Sequence, residues 1–257
     1  MKKSIFFLTV IFSIVFASCT TTNISKDSKQ FEQWTQIKQG FEQTHGYISE
    51  CSTSWHCVKI DLSTVENLKF ASSSKAFSVK EFAKKTDAIV AINTLPFSVG
   101  KSVSCTGIIK AQGKIISEPL QKYCALAFAQ QEDGTLSCAI LQNQDEDKIE
   151  QYAYVFGGFF VILKDGEKLE YQNIKRSRTA CGTDDSGRYL YLFAATPSFS
   201  LTDRNGLSYE ECAVILKELG CTQAMQFDGG HSTSMVINGK TVEAPLFQRK
   251  IAAALGF

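Results

Sequence analysis

The chain has 257 residues, 44% of them hydrophobic, and 27 basic against 26 acidic side chains for a net charge of +1. That apolar share supplies a full core and excludes a disordered chain. Near-neutrality without a Lys/Arg cluster excludes a nucleic-acid partner, which needs a concentrated basic face.

Lys2 and Lys3 precede an apolar run from Ile5 to Ala17, which ends in Phe16-Ala17-Ser18-Cys19. This is the layout of an export signal over residues 1–18, too short to span a bilayer. Cys19 directly after Ala-Ser resembles a bacterial lipobox, in which that cysteine carries the lipid. Residues 19–29 then hold the lipidated Cys19 and a polar, flexible tether. The expected location is the bacterial cell envelope, lipid-anchored to a membrane, or periplasmic or secreted if Cys19 is unmodified. Residues 30–257 show no second break in composition and read as a single domain.

Setting Cys19 aside leaves Cys51, Cys57, Cys105, Cys124, Cys138, Cys181, Cys212 and Cys221. An even number in an exported chain predicts disulfides whose pairing the sequence does not reveal, with Cys51 and Cys57 the nearest pair. Cys51, His56 and Cys57 lack a second ligand pair at structural-zinc spacing.

Phe31, Trp34, Ile37, Lys38 and Phe41 fall at helical spacing and predict a short amphipathic helix over Gln30 to Phe41. Val58, Ile60 and Leu62 alternate as in a strand. Ser78 to Glu81 is a capping box that opens a helix through Lys85, and the strand from Ala88 to Ile92 ends at Asn93. Hairpins are expected around Gln112-Gly113 and Asp165-Gly166, with a bend at Gly157-Gly158. Tyr189 to Ala195 is almost wholly apolar, as in a central strand buried on both faces. Ser208 to Glu211 is a second capping box; Cys212, Ile215, Leu216 and Leu219 continue the helix and Gly220 stops it. Strands from Ala224 to Phe227 and Ser234 to Ile237 then flank Asp228-Gly229-Gly230, and an Asn238-Gly239 hairpin follows. Hairpins outnumber βαβ units, so the fold class is α+β: a mixed, largely antiparallel β-sheet with a few packed helices.

The run from Met225 to Val236 carries the chemistry. Asp228 is the candidate catalytic carboxylate, able to activate water or hold a divalent metal. A plain alternative is a tight hairpin whose Asp caps its own turn. Gly229 and Gly230 allow a ligand to approach the backbone. His231 is a candidate acid or base, as the imidazole is the side chain suited to proton transfer at physiological pH. Ser232 and Thr233 are candidate hydrogen-bond donors to substrate, and no strand–nucleophile–helix elbow supports a Ser nucleophile. Arg178 offers a planar fork to a phosphate, with Thr179 beside it, and Arg249 is a second such arginine. Asn93, at a strand end, is a candidate ligand for substrate or metal. Asp228 and Asn93 as hard oxygen donors would suit Ca²⁺ or Mg²⁺. No glycine pair fits a nucleotide-binding pattern.

Taken in order, Ala91-Ile92-Asn93, Arg178-Thr179-Ala180-Cys181-Gly182, Gly206-Leu207-Ser208, Glu211-Cys212-Ala213, Leu219-Gly220-Cys221, Phe227 to Thr233, and Gly239-Lys240 with Pro245 and Arg249 form one ordered set. The set resembles the phosphodiester glycosidase family, from about Val58 to the C-terminus. The resemblance implies a hydrolase that cleaves the glycosidic bond of a sugar-1-phosphodiester, in cell-envelope or exopolysaccharide metabolism. Three departures stand out: Thr94-Leu95-Pro96-Phe97 follows Asn93 where the family has Gly-Gly-Phe-Phe, the strand before the long helix reads Ala195-Thr196-Pro197 where the family has Asp-Gly-Arg, and His231 replaces a third Gly. They leave open a non-catalytic glycan-binding lipoprotein or a metal-dependent phosphodiesterase that cuts P–O.

Overall fold

Strands are the dominant regular structure among the described residues because the chain's β-branched and aromatic runs are short and punctuated by Gly turns. The computed structural model describes residues 29–198 and 205–257. The expected export signal, Cys19 and all of the tether but Lys29 lie outside the described residues. Every strand pairing among the described residues is antiparallel.

The largest sheet has nine strands. It runs Lys29–Phe31, Phe41–Ile48, Thr53–Asp61, Tyr189–Pro197, Arg178–Thr183, Gln223–Gln226, Val161–Lys164 and Glu167–Lys168, with Thr35–Lys38 also paired to Phe41–Ile48. A five-stranded sheet runs Lys240–Glu243, Met235–Ile237, Val90–Asn93, Ile251–Gly256 and Lys69–Phe77. A second of five strands runs Lys114–Ser117, Ile109–Ala111, Tyr154–Gly157, Ala125–Gln130 and Leu136–Leu141, and Phe97–Val99 pairs with Val103–Cys105 in a ribbon. The α+β reading is correct in outline, but strands dominate.

One core lies between the sheets. Leu192 and Met225 from the nine-stranded sheet meet Ile92 and Leu255 from one smaller sheet and Phe128 and Phe156 from the other. The Tyr209–Glu218 helix closes the opposite face of the large sheet, packing Cys212, Ile215 and Leu216 against Trp55, Ala180 and Phe193. Tyr189–Pro197 is therefore buried on both faces, as its continuous apolar run requires. Both capping boxes form, at Ser78 with Glu81 and at Ser208 with Glu211. Gln112-Gly113, Asp165-Gly166 and Asn238-Gly239 all take positive φ at both positions, the signature of two-residue type I′ hairpins.

Two expectations are corrected. Gln30 to Phe41 is no helix: Thr35–Lys38 and Phe41–Ile48 form a hairpin in which Lys38 pairs with Phe41. Gly40 turns it at φ +78°, where a β-carbon would collide with Thr64, and Phe41 faces Ile60 across the next strand pair. Ladder hydrogen bonds and core burial outweigh apolar spacing that spans only three helical turns. The expected disulfides are also absent among the described residues. All eight cysteines there are free thiols, six of them buried as small hydrophobes.

Candidate active site

The Asp228 segment is not a hairpin. Gln223–Gln226 belongs to the nine-stranded sheet and Met235–Ile237 to a five-stranded one, so the segment carries the chain across the seam between them. Both sides pin its backbone. Phe227 N donates to Thr179 O and Gly230 N to Ser177 O, each at 2.8 Å, while Asp228 N donates to Thr94 O at 2.8 Å. Glycine is needed here for space: a β-carbon on Gly229 would lie 2.8 Å from Ser177 O. Gly230 takes φ +58° and opens the 3-10 turn Gly230–Ser232.

Asn93 locks this seam. It is 1% exposed. Its Nδ2 donates to Asp228 O at 2.6 Å, and its Oδ1 accepts from Thr179 Oγ1 at 2.9 Å and from Ser234 N at 3.0 Å. One amide therefore ties together two sheets and the turn. With its oxygen already accepting two donors, Asn93 does not pair with Asp228 as an oxygen ligand for Ca²⁺ or Mg²⁺. Among the described residues no three His, Cys, Asp or Glu side chains converge as a metal cluster.

The Asp228 carboxylate is largely buried, its side chain 10% exposed, and Arg249 Nη2 donates to Oδ2 at 2.9 Å. Arg249 Nε donates to Ser232 Oγ at 2.6 Å, and the Ser232 hydroxyl in turn bonds the carboxylate. Burial pushes the Asp228 pKa above the ordinary carboxylate value, against the opposing pull of Ser232 and Arg249. Arg249 is itself held on three sides: its backbone N donates to His231 O at 2.9 Å, its guanidinium lies 4.6 Å from the Phe97 ring centroid, and its fork engages Asp228 and Ser232. His231 stands exposed on the same turn. Thr94, Ser177 and Thr233, all framing the turn, have fully buried hydroxyls with no hydrogen-bond partner.

The two arginines thus separate. Arg178 is 5% exposed; its Nε donates to Leu207 O at 2.7 Å, its Nη2 donates to Ile174 O, and its guanidinium stacks 4.0 Å from the Tyr209 ring centroid. Side chains alternate along a strand, so Thr179 reaches Asn93 on the core face while Arg178 points to the helix-covered face.

A second polar group, which local sequence reading misses, lies on the core face. Thr179, Ala194 and His56 are successive register partners, so His56 shares the face of Thr179 two strands away. There Glu243, 2% exposed, pairs with His56 Nδ1 at 2.9 Å and accepts from Ser54 Oγ at 3.3 Å and from Thr196 Oγ1. Nothing in the Lys240-Thr241-Val242-Glu243 alternation marks that glutamate as buried. Ser177 is likewise unmarked, and Thr94 and Phe97 stand out only as a departure from the family pattern, since all three act through a backbone carbonyl or a ring face.

Fold and site define an antiparallel β-domain with a carboxylate–guanidinium centre at an inter-sheet seam. A family model described as phosphodiester glycosidase matches residues 86–257, and the chain belongs to that family. It is 25% identical over 163 residues to mouse N-acetylglucosamine-1-phosphodiester alpha-N-acetylglucosaminidase, a match over 55% of this chain and 30% of that protein's length. The fold resembles the zebrafish N-acetylglucosamine-1-phosphodiester alpha-N-acetylglucosaminidase catalytic domain, solved auto-inhibited by its pro-peptide, with TM-score 0.68 and 20% identity over 90% of this chain and 88% of that one. A hypothetical protein from Synechocystis gives TM-score 0.69 and 15% identity over 87% of this chain and 63% of that one.

Proposed function

We propose that the chain is a hydrolase that breaks the glycosidic C1–O bond of a sugar-1-phosphodiester, with Asp228 as its carboxylate and Arg249 as its phosphate-binding cation. The observation that carries this reading is the buried Asp228 carboxylate bonded to the half-exposed Arg249 fork. A phosphate monoester leaves readily without a proton, so the site needs a cation for the departing phosphate and a carboxylate for the sugar cation and water. When substrate phosphate takes up Arg249, Asp228 loses part of its counter-charge and becomes more basic. That favours transfer of a proton from the attacking water to Asp228 as the new O–C1 bond forms. The departing segment Thr94 to Phe97 is consistent with activity, because Thr94 O holds Asp228 N and Phe97 backs Arg249. Arg178 and Asn93 become scaffold in this reading, and His231 a rim residue. The setting is the bacterial cell envelope, with lipid attachment at Cys19.

The test is turnover of a panel of α-glycosyl-1-phosphodiesters in ¹⁸O water by the wild-type chain and Asp228→Asn. Expected are hydrolysis abolished by the substitution and label at the anomeric carbon. Label in phosphate would mean P–O cleavage, and folded protein that binds glycans without turnover would mean a binding protein.

A further inference from the structure

Beside the Asp228 turn five aromatic rings touch one another outside the main core. Phe160 meets Phe159 at 5.9 Å, Tyr171 at 5.8 Å and Tyr209 at 6.0 Å between ring centroids. Tyr171 and Tyr209 pack edge to face at 5.4 Å, and Tyr123 does so on Phe159 at 5.2 Å. Phe160 is 37% exposed and the other four are half-buried. The cluster is rigid: Tyr171 Oη donates to Val161 O at 2.6 Å, and Gly158 admits no β-carbon, which would fall 2.5 Å from Gln226 O.

Two connections join this platform to the site. Phe159 N donates to Gln226 O at 2.8 Å and Gln226 N to Phe160 O at 2.9 Å, two residues before Asp228. Arg178, whose Cα lies 3.7 Å from where a Gly229 β-carbon would be, lays its guanidinium on Tyr209. The platform therefore begins one arginine side chain from the turn. It lies on the helix side of the seam, whereas Arg249, in the segment just before Ile251–Gly256, meets Asp228 with Phe97 of the two-stranded ribbon behind it.

Phe160, the exposed ring of the five, beside the Lys168–Glu210 and Lys175–Glu211 ion pairs, suits a ring that is C–H on one face and hydroxylated at its edge. We propose that Phe160, with Tyr171 and Tyr209, is the stacking subsite for the pyranose whose C1 bears the phosphate. This rests on the sugar-phosphodiester reading, and its test separates the two. Calorimetry on the full chain carrying Asp228→Asn compares α-D-glucose 1-phosphate and N-acetyl-α-D-glucosamine 1-phosphate with methyl phosphate.

At least one hexose phosphate is expected to bind about tenfold more tightly than methyl phosphate, the gain of one stacked ring. Phe160→Ala and Phe160→Leu should each remove that gain and leave methyl phosphate unchanged, while Phe160→Tyr keeps it. In the otherwise wild-type chain Phe160→Ala should raise KM for a diester substrate and spare kcat. No hexose advantage, an advantage that survives both Phe160→Ala and Phe160→Leu, or equal losses for all three probes would overturn the subsite. Hexose selectivity that depends on Phe160, in a wild-type chain that turns over no diester, would leave the subsite standing and sink the proposed reaction.

Discussion

Asn93→Ala tests whether the seam is held by one side chain. The substitution removes three hydrogen bonds and leaves the Thr179 hydroxyl, the Ser234 N–H and the Asp228 carbonyl unpaired at positions 0%, 1% and 7% exposed. Each of the three buried orphans costs about 1–3 kcal/mol, so the loss should be at least ~3 kcal/mol. That is a large share of a typical ~5–15 kcal/mol domain stability and lowers Tm by about 10 °C for a domain of this size. Thr179→Val deletes a single donor at nearly constant volume and should cost about 1 kcal/mol. Urea unfolding of both single variants and the double variant gives the coupling directly. Asn93→Asp should also destabilise, because it sets an oxygen where Nδ2 donates to Asp228 O, and more so as pH rises and that oxygen becomes charged. A loss under about 1 kcal/mol for Asn93→Ala, or full additivity with Thr179→Val, would refute the network.

Asp228→Asn should abolish turnover yet leave the fold as stable as wild type or more so at neutral pH, measured by thermal melts. Burial raises the folded pKa of Asp228 above its unfolded value of about 3.8. The folded state therefore holds the proton more tightly, so stability present at lower pH is lost as pH rises through the folded value, and Asp228→Asn should flatten that fall. For the same reason the acid limb of the pH–rate profile should lie above pH 3.8. Gly229→Ala forces a β-carbon against Ser177 O and should cut kcat/KM at least tenfold by displacing Asp228, while a surface control, Gly113→Ala, meets no neighbouring atom and should leave kcat/KM unchanged. Thiol labelling read by peptide mass should modify Cys51 and Cys105 in the native protein. It should reach Cys57, Cys124, Cys138, Cys181, Cys212 and Cys221 only after unfolding, since burial raises every one of those thiols, Cys138 and Cys212 to about 12. Rapid native labelling of the six would contradict the packing.

Local chemistry was legible in the sequence wherever the cause lies within a few residues. Ser78 and Ser208 cap helices because the Ser hydroxyl accepts from the N–H of the Glu three residues on while that Glu carboxylate accepts from the Ser N–H. Asp165-Gly166 and Asn238-Gly239 turn hairpins because those residues accept positive φ, and the Tyr189 to Ala195 run announces a strand covered on both faces. The Gln30 to Phe41 segment misled because apolar residues at helical spacing also fit a hairpin edge, and only its neighbours Ile60 and Thr64 decide between them.

Asp228 and its glycines stand out in one short run, and the ordered motifs point to the phosphodiester glycosidase family before any fold is known. Sheet register, set by the whole core, then decided the rest. It brought Asn93 to Asp228 across 135 positions and to Thr179 across 86, and it sent Arg178 to the far face while Arg249 came to the carboxylate. A strand's alternation says that adjacent side chains part. Only the packed sheets say which face holds the site.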